Sequence, residues 1–143
     1  MKKVLSLVLA VVMMMSLMAI SAAAEADTSK VKVGFIFLHD ENSTYDLNFL
    51  NAAKEACEKL GVEYLMKTNI DENEDCQEAA EQLADAGCDI VFADSFGHED
   101  YMIEVAREFP DVQFCHATGT KAHTEKLSNY HNAFASIYEG RYL

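Results

Sequence analysis

The sequence predicts an α/β protein built on one doubly wound, parallel β-sheet. Short β-branched and aromatic runs alternate with stretches of helical periodicity, glycines close helical stretches, and no low-complexity tract or long linker breaks the alternation. Parallel neighbours in a sheet need a crossover helix between them, and these crossovers are right-handed. We therefore expect strands in the order 2-1-3-4-5, with helices on both faces of the sheet.

The chain opens on a segment that predicts export. Lys2 and Lys3 precede an apolar run over residues 4–20, and small residues follow up to Ala24. A basic start, an apolar centre and a small-residue exit are typical of a cleaved signal peptide, here residues 1–24, with a polar joint at 25–30. A membrane anchor is the alternative, because the run is nearly long enough to span a bilayer. Since no cysteine precedes Cys57, we expect secretion across the cytoplasmic membrane without a lipid-attachment cysteine.

The first strand and the first helix follow directly. Residues 31–38 form an apolar run typical of a strand buried on both faces, and the polar loop 39–43 follows it. Ser43 or Thr44 is suited to cap a helix. Gly61 then ends that helix, as the permissive residue after a C-terminus. Apolar residues recur at helical spacing between these bounds: Phe49, Ala53, Ala56 and Leu60.

The same unit then repeats along the chain. Gly87 closes the second helix and Pro110 stops the third. The predicted strands are 62–67, 89–93, 112–115 and 129–134, and the predicted helices are 74–86 and 99–109. Residues 135–143 begin an apolar helical pattern that stops before a helix of useful length is complete. We therefore expect a truncated piece of a longer protein, the alternative being a short helix folded back on the sheet.

Net charge and cysteine content indicate which partners and which metal sites suit this chain. The formal net charge of -13 becomes two units more negative once Lys2 and Lys3 leave with the signal peptide. Such a surface repels phosphate backbones, so nucleic acid and anionic membranes are poor partners. The four cysteines, Cys57, Cys76, Cys88 and Cys115, lie in apolar surroundings and match no zinc spacing. We expect buried, reduced thiols, although an even count in an exported chain also allows disulfides.

The candidate site lies at the carboxyl edge of the sheet, where open parallel sheets bind ligands. Loops 39–45, 94–98 and 116–121 meet there. The histidines on this edge, His39, His98 and His116, are too widely spaced to indicate a metal site. Neighbouring side chains of a strand point to opposite faces, so Cys115 and His116 do not pair as nucleophile and base. With neither a dinucleotide fingerprint nor a Walker loop, the sequence predicts no cofactor, no metal and no catalysis.

Two loop aromatics indicate a binding protein instead. Tyr45 opens the first helix at the site edge, and Phe96 stands in the loop after the third strand. Two rings on one rim suit a flat ligand, because stacked aromatic faces add specific attraction to buried area. Asp46 and Asn42 supply acceptors for ligand hydroxyls. The alternative is local packing, with Tyr45 stapling the helix start and Phe96 tucked under it.

Four segments carry a resemblance to a known family. They are 95–97 (SFG), 108–114 (EFPDVQF), 116–121 (HATGTK) and 138–143 (YEGRYL). In this order they resemble the basic-membrane-protein family of ABC-transporter substrate-binding proteins, which includes purine nucleoside receptors. The resemblance covers the chain from Val31 to its end.

The resemblance implies a two-lobed binding protein of the type I periplasmic fold, of which residues 31–143 form the incomplete first lobe. It implies a nucleoside-like ligand handed to a membrane permease. Tyr45 and Asp46 then match the aromatic and polar pair that stacks on the base and reaches the sugar. Phe96, with Ser95 and Gly97, matches the loop that approaches the ligand. An exported flavodoxin-like electron carrier or enzyme, and a sensor lobe of a membrane signalling protein, are the alternatives.

Overall fold

The computed structural model describes residues 30–133, and these form a single five-stranded parallel sheet in the order β2-β1-β3-β4-β5. The strands are β1 Lys32–Ile36, β2 Glu63–Lys67, β3 Ile90–Ala93, β4 Gln113–His116 and β5 Tyr130–Asn132. The helices are α1 Thr44–Leu60, α2 Glu74–Asp85, α3 Glu99–Glu108 and the short α4 Ala122–Glu125. The predicted fold class and strand order are thus confirmed.

The register places β1 between β2 and β3, one strand in from the β2 edge of the sheet. Gly34 of β1 pairs with Leu65 of β2 on one side and with Val91 of β3 on the other. The predicted signal peptide at 1–24 and the helical pattern at 135–143 lie outside the described residues. Within residues 30–133, we find no helix with the length and apolar character needed to cross a bilayer.

The two faces of the sheet are covered by different helices. Ile36 points into a core formed with α2 and α3, whereas Phe35 and Phe37 point to the opposite face, where α1 packs. The larger core consists of buried apolar side chains from the sheet and from α2 and α3, among them Leu83, Val91, Met102, Val105 and Phe114. A doubly wound sheet follows, with α1 on one side and α2 and α3 on the other.

Helix α1 has the predicted ends. The Ser43 hydroxyl accepts a hydrogen bond from the backbone N–H of Asp46, and Gly61 adopts the left-handed conformation at φ +64°. The Gly61 N–H donates to the carbonyl of Glu58 at 3.3 Å, and the next N–H, of Val62, donates to that of Cys57 at 3.1 Å. The helix therefore starts at the carboxyl edge of the sheet, with its first turn at the candidate site.

Some boundaries differ from the prediction. Strand β1 ends at Ile36 rather than residue 38, because the chain turns towards α1 and the His39 N–H bonds the Asp46 carboxylate. Strand β5 starts after Asn129, whose side-chain amide donates to backbone carbonyls at the end of α3 and the turn beyond it. A single 3-10 turn at Phe96–His98 and helix α4 were not predicted. All four cysteines are free thiols, three of them buried and Cys115 half-buried.

Candidate ligand site at the carboxyl edge of the sheet

The chain topology opens a crevice between β1 and β3. After β1 the chain crosses to β2 by way of α1, and after β3 it crosses in the other direction to β4 by way of α3. Since the two connections diverge, the loops at the carboxyl ends of β1 and β3 separate. Ligands of open α/β sheets bind at this switch point. The predicted site residues after β1 and β3 flank it.

Tyr45 sits on the rim of the crevice with its ring partly open to solvent. The residue is 49% exposed, and its ring lies 5.0 Å, centroid to centroid, from the tilted ring of Phe49. Its hydroxyl donates to the backbone carbonyl of Asp94 at 3.3 Å. Partial burial, followed by the nearby Asp94 and Asp46 carboxyls, raises the pKa of the phenol. The ring is thereby tethered across the crevice while keeping area free for stacking.

Asp46 is buried, and its carboxylate is hydrogen-bonded to residues of its own loop. Its carboxylate accepts hydrogen bonds from the His39 backbone N–H at 3.0 Å, the His39 ring at 3.1 Å and the Ser43 hydroxyl at 2.5 Å. Burial acts to raise the pKa of Asp46, but the hydrogen bonds from Ser43 and His39 outweigh it and the pKa is lowered. Asp46 thus organises the β1–α1 loop as an anion, and its contact with a ligand stays a prediction.

Asn42 lies further out on the same loop. It is exposed, and both its backbone N–H and its side-chain amide donate to one oxygen of Asp40, at 3.0 and 2.9 Å. Within residues 30–133, the Asn42 side-chain oxygen accepts no hydrogen bond. A ligand hydroxyl at the outer rim would meet that oxygen.

The loop after β3 presents Phe96 outward. Phe96 is 65% exposed and so is not tucked under α1. Its neighbours are held by Glu72, whose carboxylate accepts from the Ser95 hydroxyl at 2.5 Å and from the Gly97 N–H at 2.8 Å. These two hydrogen bonds lower the pKa of Glu72. Glu72 therefore fixes the loop on both sides of the exposed ring, a role that no sequence pattern indicated.

Asp94 is the site residue that the sequence reasoning missed. Its side chain is 2% exposed, and neither carboxyl oxygen has a hydrogen-bond partner among the residues described. The carboxyl lies next to that of Asp46. Burial, and then the adjacent Asp46, raise the pKa of Asp94 to about 7. An acid at a strand end is usually solvated, so its residue type gave no signal of this burial.

The three histidines of this edge are structural. His98 and His116 are fully buried, and their Nε2 atoms lie 2.9 Å from the Ile70 carbonyl and 2.7 Å from the Ser95 carbonyl. Burial lowers the pKa of both rings, so they are neutral at pH 7. His39 is exposed and pairs with Asp46. Over residues 30–133, no cluster of histidine, cysteine and acidic side chains is arranged to hold a metal ion.

The loop after β4 completes the crevice. The Thr118 hydroxyl donates to the Asp94 carbonyl at 3.2 Å, which joins this loop to the end of β3. The buried Glu99 accepts from the N–H groups of Thr120 and Lys121, both at 2.8 Å, and from the Tyr130 hydroxyl at 3.1 Å. The Thr118 hydrogen bond and the hydrogen bonds to Glu99 hold the loop after β4 in position.

An apolar groove of about 530 Å³ runs along the α1 face of the sheet and reaches the crevice at one end. Of the described residues that line it, Asp94 alone carries a carboxyl, and it lies with Ala117 at the carboxyl end. The remaining wall is aliphatic and aromatic, including Val33, Phe35, Phe49, Ile90 and Phe92. Apolar surface of this extent is typical of a face that another element covers. Only its Asp94 end belongs to the candidate site.

An open parallel sheet with an aromatic and carboxyl-lined crevice at its switch point defines a small-molecule-binding α/β protein. A family model described as ABC transporter substrate-binding protein PnrA-like matches residues 30–143. The chain therefore belongs to this family of solute receptors, which are not enzymes.

Two proteins similar in sequence support the family assignment. A purine-binding protein of Brucella abortus is 40% identical over 129 residues, covering 87% of this chain and 35% of the relative. A protein of Haloferax volcanii, named as a candidate ABC transporter glucose-binding protein, is 39% identical over 69 residues, covering 48% of this chain and 17% of its own length. The chain thus spans about a third of the Brucella relative and less of the Haloferax one.

Solved structures agree on the fold. A solute-binding protein of an ABC transporter system from Conexibacter woesei matches with a TM-score of 0.62 at 24% identity, over 73% of this chain and 35% of its own. A LacI-family transcription repressor from Corynebacterium glutamicum matches with a TM-score of 0.57 at 10% identity, over 78% of this chain and 56% of its own. At such identities the likeness shows the fold alone.

Proposed function

We propose that this chain is the first lobe of an extracytoplasmic receptor that delivers a nucleoside to an ABC permease in the membrane. The nucleoside class that we propose is the purine nucleosides. Residues 1–24 direct its export in this proposal. The polypeptide beyond residue 143 supplies a second lobe that closes over the ligand. Family membership supports the transport role, and the purine-binding Brucella relative supports the ligand class.

One observation carries the ligand assignment: the half-exposed Tyr45 ring stands at the switch-point crevice beside buried carboxyl groups. A flat base stacks on an aromatic ring, a contact worth about 1 to 3 kcal/mol per base. Carboxyl groups recognise the ring N–H and hydroxyl groups of a nucleoside. The exposed Phe96 lies on the loop across the crevice from Tyr45 and adds a second apolar surface.

Calorimetric titration of the full-length protein tests this proposal. The panel contains adenosine, guanosine, inosine, cytidine, uridine and glucose. We expect saturable heat with at least one purine nucleoside and weaker or no heat with glucose. Heat with glucose alone, the ligand class named for the Haloferax relative, would move the proposal to a sugar receptor. Titrations without heat for any nucleoside would sink the ligand assignment.

The stacking role of Tyr45 has its own test. We expect Tyr45→Ala to lower nucleoside affinity by about 1 to 3 kcal/mol, since one stacked ring is lost. Tyr45→Phe keeps the ring and loses the hydroxyl bond to the Asp94 carbonyl, so it should retain most of the affinity. Tyr64→Ala removes a half-buried ring of β2, away from the crevice, and is the matched control. Equal affinity in Tyr45→Ala and Tyr64→Ala would reject the stacking role.

A further inference from the structure

Asp94 contributes little to the fold that surrounds it. Its backbone carbonyl ties the crevice together by accepting from Tyr45 and Thr118, but its carboxyl oxygens accept no hydrogen bond from a donor within residues 30–133, and its side-chain neighbour is the carboxyl of Asp46. A buried polar group without a partner costs free energy, and native proteins keep few of them. Groups that break this rule concentrate at functional sites. The Asp94 carboxyl is therefore a candidate for contact with something that is bound.

Its location is where a ligand would reach it. Asp94 directly follows β3, on the face shared with α1, and lines the groove at the end that opens into the crevice. Tyr45 and Thr118 converge on its backbone from the loops after β1 and β4. A base stacked on Tyr45 would therefore have its edge near the Asp94 side chain.

The adjacent Asp46 determines whether the Asp94 carboxyl is protonated and so which hydrogen bonds it can make with a ligand. Asp46 has three donors on its carboxylate, from His39 and Ser43, and these hold it as the anion of the pair. Two adjacent buried carboxyls do not both ionise readily, so the proton resides on Asp94. A neutral carboxyl has one O–H donor, and that of Asp94 is attracted to the adjacent Asp46 carboxylate. The other Asp94 oxygen is left as an acceptor, which matches a ring edge that carries an N–H.

We propose that Asp94 contacts the ligand directly and selects purines that carry an N–H donor at the edge of the six-membered ring. This inference rests on the nucleoside-binding function proposed above and names the residue that sets its specificity. Adenosine, inosine and guanosine present such an edge, through an amino group or a ring N–H. Purine riboside has the same ring system and sugar but no N–H on the base.

The test compares ligands and variants by calorimetry on the full-length protein. The tightest of the natural purine nucleosides is measured against purine riboside with the unaltered protein, Asp94→Asn and Asp94→Leu. We expect the unaltered protein to prefer the natural nucleoside about tenfold or more, the loss expected for missing hydrogen bonds. Asp94→Asn keeps a donor and an acceptor and should retain a preference. Asp94→Leu should bind both ligands alike.

A structural role would give a different pattern. Loss of a merely structural side chain would lower affinity for both ligands together and lower the melting temperature, whereas we expect Asp94→Leu to melt no lower than the unaltered protein. Asp94→Ala replaces it if Asp94→Leu does not fold. Preference for the natural nucleoside that persists in Asp94→Leu or Asp94→Ala would overturn the inference while leaving the receptor function intact. Absence of nucleoside binding by the unaltered protein would overturn both.

Discussion

Asp46 and Asp94 lie side by side, and the fold sets their protonation in opposite directions. Hydrogen bonds from Ser43 and His39 outweigh the burial of Asp46 and lower its pKa. Burial and the charge of Asp46 raise the pKa of Asp94 to about 7. Divergent pKa values in adjacent groups are typical of functional sites. At the residue scale, the crevice thus presents an anion next to a carboxyl that is part neutral at pH 7.

This pairing predicts how stability depends on pH. The pKa of Asp94 is raised to about 7 in the folded protein, and is about 4 in an unfolded chain. Folding therefore takes up a proton between those values, and the free energy of unfolding falls as pH rises from about 4 to about 7. Asp94→Asn removes this pH-dependent contribution to the free energy of unfolding. We expect its stability advantage to be small near pH 4 and to grow to a few kcal/mol at pH 7.5.

Urea unfolding of the unaltered protein and Asp94→Asn at fixed pH values measures that difference. The charged and titratable groups facing Asp94 are Asp46, with His39 behind it, and Tyr45. Asp46 acts in the opposite sense, because stability from a lowered pKa is lost as pH falls. The comparison at each pH limits its influence, since both proteins contain it. A difference that stays constant from pH 4 to 8 would contradict the shifted pKa of Asp94.

Sequence patterns indicated the aromatic residues of the site and Asp46, but not Glu72 or Asp94. Tyr45 and Phe96 stood out because large rings are unexpected in polar loops, and the structure shows both exposed. Glu72 and Asp94 gave no such signal. Their roles depend on which loops meet in space: Glu72 reaches Ser95 from 23 positions away. A carboxylate has no periodicity that reveals a distant partner.

At the scale of elements, the first turn of α1 positions the site. The Ser43 hydroxyl caps the helix by accepting from the Asp46 N–H at 3.2 Å and donates to the Asp46 carboxylate at 2.5 Å. Tyr45 lies in the same turn. Helix ends were predicted well, because capping residues and glycines act locally. The 3-10 turn at Phe96–His98 was missed; besides its local bond from the His98 N–H to the Ser95 carbonyl, it is held by a hydrogen bond from Gly97 to Glu72, which is distant in sequence.

Ser43→Ala tests the link between the helix cap and the site. We expect the free energy of unfolding to fall by about 1 to 2 kcal/mol from the lost cap. Nucleoside affinity should fall as well, because Asp46 loses a donor and the turn that holds Tyr45 loosens. Calorimetry and urea unfolding measure the two effects.

Gly61→Ala at the other end of α1 is the matched control. Gly61 has φ +64°, and a Cβ there meets no atom within 4 Å, so strain of about 1 kcal/mol is the expected cost. Stability should drop without a change in affinity. If Ser43→Ala also left affinity unchanged, the cap would be a matter of stability alone.

At the scale of the whole molecule, the proposed function makes the described sheet one wall of the binding site. The chain covers 35% of the length of the Brucella relative, and the crevice opens at an edge of the sheet rather than in an enclosed cavity. Receptors that close on hinges bury their ligand between two lobes. Sequence analysis could predict the architecture of this wall, because alternation and periodicity are properties of the chain itself. In the two-lobe proposal, the opposite wall of the site is formed by residues of the second lobe.

The two-lobe proposal predicts that residues 25–143 bind poorly on their own. Half of the contacts and all of the closure are missing, so we expect nucleoside affinity to fall by at least a hundredfold relative to the full-length protein, about 3 kcal/mol. Calorimetry on both proteins at equal concentration gives the ratio. Circular dichroism establishes that residues 25–143 are folded. Equal affinity for the two would show that this sheet alone forms the complete site.

A crystal structure of the full-length protein with its tightest purine nucleoside tests the central claim most directly. The account predicts the base stacked on Tyr45 in the crevice between β1 and β3, with its N–H edge within hydrogen-bond distance of the Asp94 carboxyl. It also predicts a second lobe closed over the other face of the base. A nucleoside bound away from this crevice, or bound there with Asp94 still unpartnered, would contradict it.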